Sequence, residues 1–185
     1  ERGDYEQATT DYSAALHLEP ARPELFHKRA NLYRRMGRIE AALADYDQAL
    51  RLDPRNTQAW VGRGNACYQQ GDYDQAITHY SRAVELDPTY ASAMYNRGKS
   101  YAAAGRLEPA LADFEAALRL DRDDTASFLN RAGVYELMGR YEEAVADYSE
   151  ALRLDPDDPL AFVGRASSYA ELGDYEQARE DFSRA

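Results

Sequence analysis

Small and apolar residues recur at spacings of three and four from Trp60 to Tyr68, and again from Tyr73 to Leu86. Each run predicts an amphipathic helix, because residues so spaced share one helix face. Gly71 separates the runs, as a residue that accepts a left-handed backbone at a helix C-terminus, and Asp72 behind it is placed to cap the next helix. The predicted unit is a helical hairpin. Leu-Asp-Pro sequences ending at Pro54, Pro88 and Pro156, with Pro20 after Leu18-Glu19, close the second helix, since proline cannot continue its hydrogen-bond ladder.

The same pattern repeats along the whole chain. Gly3, Gly37, Gly71, Gly105, Gly139 and Gly173 stand 34 residues apart. An alanine follows each (Ala8, Ala42, Ala76, Ala110, Ala144, Ala178), then an aromatic (Tyr12, Tyr46, Tyr80, Phe114, Tyr148, Phe182), then a second alanine (Ala15, Ala49, Ala83, Ala117, Ala151, Ala185). On the first helices Ala30, Gly64, Gly98, Ala132 and Ala166 form a matching small row, which marks close helix crossings. Large side chains beside those rows leave each hairpin with apolar surface that only a neighbouring hairpin can cover, so the units must stack.

These rows resemble the tetratricopeptide repeat family, whose 34-residue period and aromatic, alanine and proline signature they match over the entire chain. The resemblance implies an all-α fold, a right-handed α-solenoid (superhelix) of helix-turn-helix repeats in a single domain, residues 1–185. It divides into a partial repeat (1–22), full repeats (23–56, 57–90, 91–124 and 125–158) and a truncated repeat (159–185). The family's fold also implies a concave groove lined by the first helices, which commonly holds peptides. Arg122 in place of a proline, Cys67 in place of a tyrosine and Pro109 in a first helical turn are local departures. The chain starts and stops in mid-repeat and is read as a segment of a longer protein.

A net charge of -11 argues against nucleic acid and against an anionic membrane surface, both of which need dense Lys/Arg. No apolar run approaches the roughly 20 residues of a transmembrane helix. A single cysteine, Cys67, excludes an internal disulfide and any multi-thiolate metal site. It is compatible with a reducing compartment, and the chain is read as cytoplasmic.

Two charged rows need a physical account. Arg29, Arg63, Arg97, Arg131 and Arg165 share one register of the first helices; Asp11, Asp45, Asp113, Asp147 and Asp181 share one register of the second, with His79 in the missing slot. A half-buried guanidinium without a carboxylate is costly, so the rows are expected to pair, within a hairpin or between neighbours. Pairing within a hairpin strands Arg63; pairing to the preceding one strands Arg97.

Function is sought where matched units differ. The inward stripe of the first helices carries Lys28, Asn31 and Arg35, then Gly62, Asn65 and Gln69, then Asn96, Lys99 and Ala103, then Asn130 and Leu137, flanked by His27, Arg34, Val61, Tyr68, Tyr95 and Leu129. Asn31, Asn65, Asn96 and Asn130 are expected to pair with the backbone of a bound peptide, in the manner of the asparagine ladder of some family members, or else are polar residues on a wetted face. Val61, Tyr68, Tyr95 and Leu129 supply apolar contact. Lys28, Arg34 and Arg35 belong to a cationic stretch that suits a partner with an acidic end, unless it neutralises a preceding acidic unit. Glu136 and Glu171 reverse the sign farther on. The carboxylate clamp of chaperone-binding members is not intact, because Val61, Ala126 and Asn130 stand where its cations belong.

Signatures of chemistry are weak. Gly62-Arg63-Gly64 follows no strand and lacks the third glycine of a dinucleotide loop. His17, His27 and His79 share no register, and the Asp-rich turns at Asp121 and Asp155 lack the glycine and distal glutamate of a calcium loop. The expectation is a non-enzymatic scaffold without cofactor or metal, binding a protein or peptide. The alternatives are an array that self-associates end to end through its sticky terminal hairpins, and the docking arm of a larger catalytic protein.

Overall fold

The computed structural model describes residues 2–185. Eleven helices and no strand occur among them: α1 (Arg2–Leu18), α2 (Pro23–Arg35), α3 (Ile39–Leu52), α4 (Thr57–Gln69), α5 (Tyr73–Leu86), α6 (Ala91–Ala103), α7 (Leu107–Leu120), α8 (Thr125–Leu137), α9 (Tyr141–Leu154), α10 (Pro159–Glu171) and α11 (Tyr175–Phe182). Two compact units divide the chain, Glu1–Asn96 and Arg97–Ala185. No helix among the described residues is long and apolar enough to cross a membrane.

Local chemistry sets the hairpin ends. Gly37, Gly71, Gly105, Gly139 and Gly173 all adopt positive φ, between 70° and 83°, so the leading helix of each hairpin stops in the left-handed conformation that glycine alone takes cheaply. Asp72 then caps α5 through Gln75 N at 3.0 Å, and Asp174 caps α11 through Gln177 N. The trailing helices end at Asp53, Asp87, Asp121 and Asp155, all extended. Each of these aspartates accepts the backbone N–H two residues on, which explains why Arg122 in place of proline leaves the turn unchanged.

Packing follows the small and aromatic rows. In the first unit Tyr46 and Tyr80 are almost wholly enclosed, Tyr46 among Ala30, Ala42, Ala49, Ala59 and Ala66, and Tyr80 among Val61, Cys67, Ala76, Ala83 and Ala93. Each such ring contributes about 2–3 kcal/mol by leaving water. In the second unit Phe114 and Tyr148 repeat the arrangement. The small row is a steric requirement: a Cβ on Gly64 would lie 2.6 Å from the Tyr80 ring, and one on Gly98 3.1 Å from Phe114. Gly62 and Gly164, which stand on the inward stripe, make room for tyrosines of the preceding trailing helix. A Cβ at either would overlap the ring of Tyr46 or Tyr148. Only Gly133 of the three stripe glycines meets nothing within 4 Å.

The charged rows pair within the hairpin. Arg29 donates from Nε and Nη2 to both oxygens of Asp45 at 2.7 Å, and Arg97–Asp113, Arg131–Asp147 and Arg165–Asp181 repeat this fork. Aromatic rings flank the guanidinium, as with Phe26 and Tyr33 around Arg29 and Phe128 and Tyr135 around Arg131. Nη1 of Arg29 and of Arg165 reaches back to a serine of the preceding trailing helix, Ser13 and Ser149. Where His79 removes the carboxylate, Arg63 turns to that older neighbour. Asp47 stands in the serine register and lies 2.9 Å from Arg63 Nη1. Asp47 Oδ1, Arg63 Nε and His79 Nδ1 are all buried without a hydrogen bond. Trp60 covers the His79 ring at 5.7 Å, and Cys67, buried, replaces the flanking tyrosine.

Candidate functional site

On the first unit the stripe is built on α2, α4 and the start of α6. Lys28 and Arg35 are exposed, while Asn31, Arg34, Asn65, Tyr68, Tyr95 and Asn96 are half-buried. Val61 is 8% exposed and belongs to the packed core around Tyr80, so its place is in the stacking and not on the outer face.

Buried tyrosines orient two of the asparagines. The Tyr46 hydroxyl donates to Asn31 Oδ1 and the Tyr80 hydroxyl to Asn65 Oδ1, both at 2.7 Å. Burial raises both phenols above their ordinary value. Each amide is thereby fixed with its NH2 turned away from the core. Asn31 Nδ2 meets His27 Nε2 at 3.0 Å, which requires a neutral ring, and burial together with Lys28 lowers the His27 pKa accordingly. Arg34, three residues from Asn31 on α2, has its Nε buried without a partner. Its guanidinium opposes the upward shift of both Tyr46 and Tyr80.

The other two asparagines of the stripe bond to their own helices. Asn96 Nδ2 donates to Ser92 O and Asn130 Nδ2 to Ala126 O, one turn back on their own helices. Asn31 and Asn65 share one register, whereas Asn96 and Asn130 share another three residues earlier in the repeat. Sequence reasoning overlooked the signal that separates them. Asparagine holds the first register only where the trailing aromatic offers a hydroxyl (Tyr46, Tyr80); opposite Phe114 and Phe182 that register holds Lys99 and Ser167.

On the second unit the stripe is lined by Leu129, Asn130 and Glu136 of α8 and Leu160, Val163, Gly164 and Ser167 of α10, around a cavity of about 470 Å³. Tyr148 closes one side, donating its hydroxyl to Glu136 Oε2 at 2.9 Å, while Ser168 donates to Oε1 at 2.8 Å. Burial, and then Glu136 itself, hold the Tyr148 phenol well above its ordinary value. Lys99 is half-buried on α6 within this unit. No group of three or more metal-ligating side chains occurs among the described residues.

Hairpins that share a buried scaffold and differ on the outer face of their leading helices define a class, the stacked helical-repeat proteins. Tetratricopeptide repeat models match residues 27–91 and 68–130, and a TPR repeat model matches residues 1–37 and 137–173; the chain belongs to the tetratricopeptide repeat family. No curated protein matches it in sequence. Solved structures share its fold. MamA from Desulfovibrio magneticus is 21% identical, with 88% of this chain and 92% of that one covered at a TM-score of 0.82. YrrB, described as a TPR protein with an unusual peptide-binding site, is 24% identical over 94% of this chain and 89% of its own, at 0.78. A tetratricopeptide repeat protein from Parabacteroides merdae is 25% identical over 98% and 72%, at 0.83.

Proposed function

We propose that this chain is a binding module that holds a peptide segment of a partner protein along the inward stripe of its leading helices. One observation carries the reading: Arg34, with a buried and unpartnered Nε, stands on α2 beside Asn31, an amide that a core tyrosine holds in a fixed orientation. A guanidinium and a preoriented amide are donors suited to a carboxylate and to the carbonyls of an extended chain. Asn65, set by Tyr80 in the same way, adds a second NH2 donor. Lys28 and Arg35 supply exposed positive charge that orients an acidic end, and Tyr68 and Tyr95 supply ring surface. Asn96 in the same unit, and Lys99, Leu129 and Asn130 in the second, are the corresponding contacts. That YrrB, a relative in fold, is described as having a peptide-binding site agrees with this assignment.

Peptide display against the chain tests it. Selected sequences are expected to carry acidic residues at one end, and the double reversal Lys28→Glu, Arg35→Glu to weaken them roughly tenfold or more. Arg34→Gln is expected to do the same. Peptides whose affinity is unmoved by all of these changes would remove the site from α2.

A further inference from the structure

The register that holds Arg34 on α2 holds Glu136 on α8, where the carboxylate meets two hydroxyls. Its carboxylate is half-buried and accepts from Tyr148, itself 6% exposed, and from Ser168, which is fully buried. Neither donor is a cation, and no Lys, Arg or His among the described residues lies within ion-pair distance of it. By contrast Asp45, Asp113, Asp147 and Asp181 of the charged rows each meet a guanidinium fork. The two hydroxyls fix the plane of the carboxylate and leave each oxygen with a lone pair.

The walls are apolar and exposed. Leu160 is 71% and Val163 43% exposed, and Leu129 completes the lining. At the register of Leu160 the other leading helices carry Glu24, Gln58, Ser92 and Ala126, so a large apolar side chain at that position is peculiar to this hairpin. Nothing in the packing of α8, α9 and α10 uses it. An apolar cup with an anionic floor matches one kind of side chain, an aliphatic stem that ends in a positive charge.

We infer that the cavity between α8 and α10 is a receptor for a lysine or arginine side chain of the bound peptide, with the stem on Leu160, Val163 and Leu129 and the cationic head on Glu136. The inference rests on the peptide-binding reading and gives it a second specificity. Arg34 takes an acidic group on one unit, and Glu136 takes a basic one on the other. A metal is a poorer occupant, because a single carboxylate supplies the only charged ligand.

The test uses the intact chain, labelled with ¹⁵N and titrated with Nα-acetyl-arginine methylamide and with its norleucine counterpart. The arginine compound is expected to shift the amides of Leu129, Glu136, Val163 and Ser167 and to bind roughly tenfold more tightly than norleucine, as one charge-assisted contact implies. Glu136→Gln should remove that preference. Leu160→Lys, at an exposed rim position that leaves the carboxylate and the core intact, should compete internally and abolish arginine binding. Equal binding of the two compounds, shifts elsewhere in the chain, or arginine binding unchanged in Leu160→Lys would overturn the inference. A display-selected peptide that loses affinity with Arg34→Gln but not with Glu136→Gln would sink this pocket alone and leave the broader proposal standing.

Discussion

Four guanidinium groups of the leading helices meet an aspartate through both Nε and Nη2, and Arg63 does not. Its side chain is 30% exposed where Arg29, Arg97, Arg131 and Arg165 are 18–20% exposed, and its charge is answered from Asp47 alone. The histidine that causes this is enclosed beside the guanidinium. Burial, followed by Arg63, lowers the His79 pKa from 6.5 to about 4, with Asp47 and Asp72 opposing. In the unfolded chain the ring titrates near 6.5, so above that pH both states hold it neutral and its contribution is fully present. As the pH falls from 6.5 to about 4 the unfolded state takes up a proton that the folded state refuses, and that stability is lost. Thermal melts of the parent and of His79→Gln should therefore diverge across that window, the parent losing about 3 kcal/mol more by pH 4. Parallel pH profiles would show that His79 titrates normally.

Between elements, glycine has opposite meanings at positions that look alike in sequence. Gly64→Ala drives a methyl group into the enclosed Tyr80 ring and should cost about 1–3 kcal/mol. Gly133→Ala, on a leading helix where the added Cβ meets nothing, should gain about 0.5–1 kcal/mol from helix propensity. Equilibrium denaturation of both variants measures the contrast, and equal effects would contradict the packing described. The hairpins, their turns and the Arg–Asp rows were legible in sequence because repetition supplies its own control: a feature present in every unit has to be scaffold. Which neighbour an arginine chooses was not legible, because His79 leaves either Arg63 or Arg97 without a carboxylate and both pairings fit the spacing; the structure pairs Arg29, Arg97, Arg131 and Arg165 within the hairpin. That Gly62 and Gly164 seat tyrosine rings was hidden, because it depends on the axial stagger of one helix against the helix before it.

Across the whole molecule the net charge of -11 conceals a reversal of sign between Arg34 and Glu136 at one register. The stripe of the leading helices is where the repeats disagree, so internal comparison, which reads the fold so well, is least informative there. Asn31 and Asn65 were visible as polar groups, but their fixed orientation follows from tyrosine hydroxyls on another helix. Leu160 carried a signal only as the exception in a register that otherwise holds Glu24, Gln58, Ser92 and Ala126. Hydrogen–deuterium exchange of the intact chain, with and without a display-selected peptide, tests the central claim most directly. Added protection should fall on the leading helices, α2 and α4 in the first unit and α8 and α10 in the second, with α3, α5, α7 and α9 unchanged. Protection confined to those trailing helices would contradict the account.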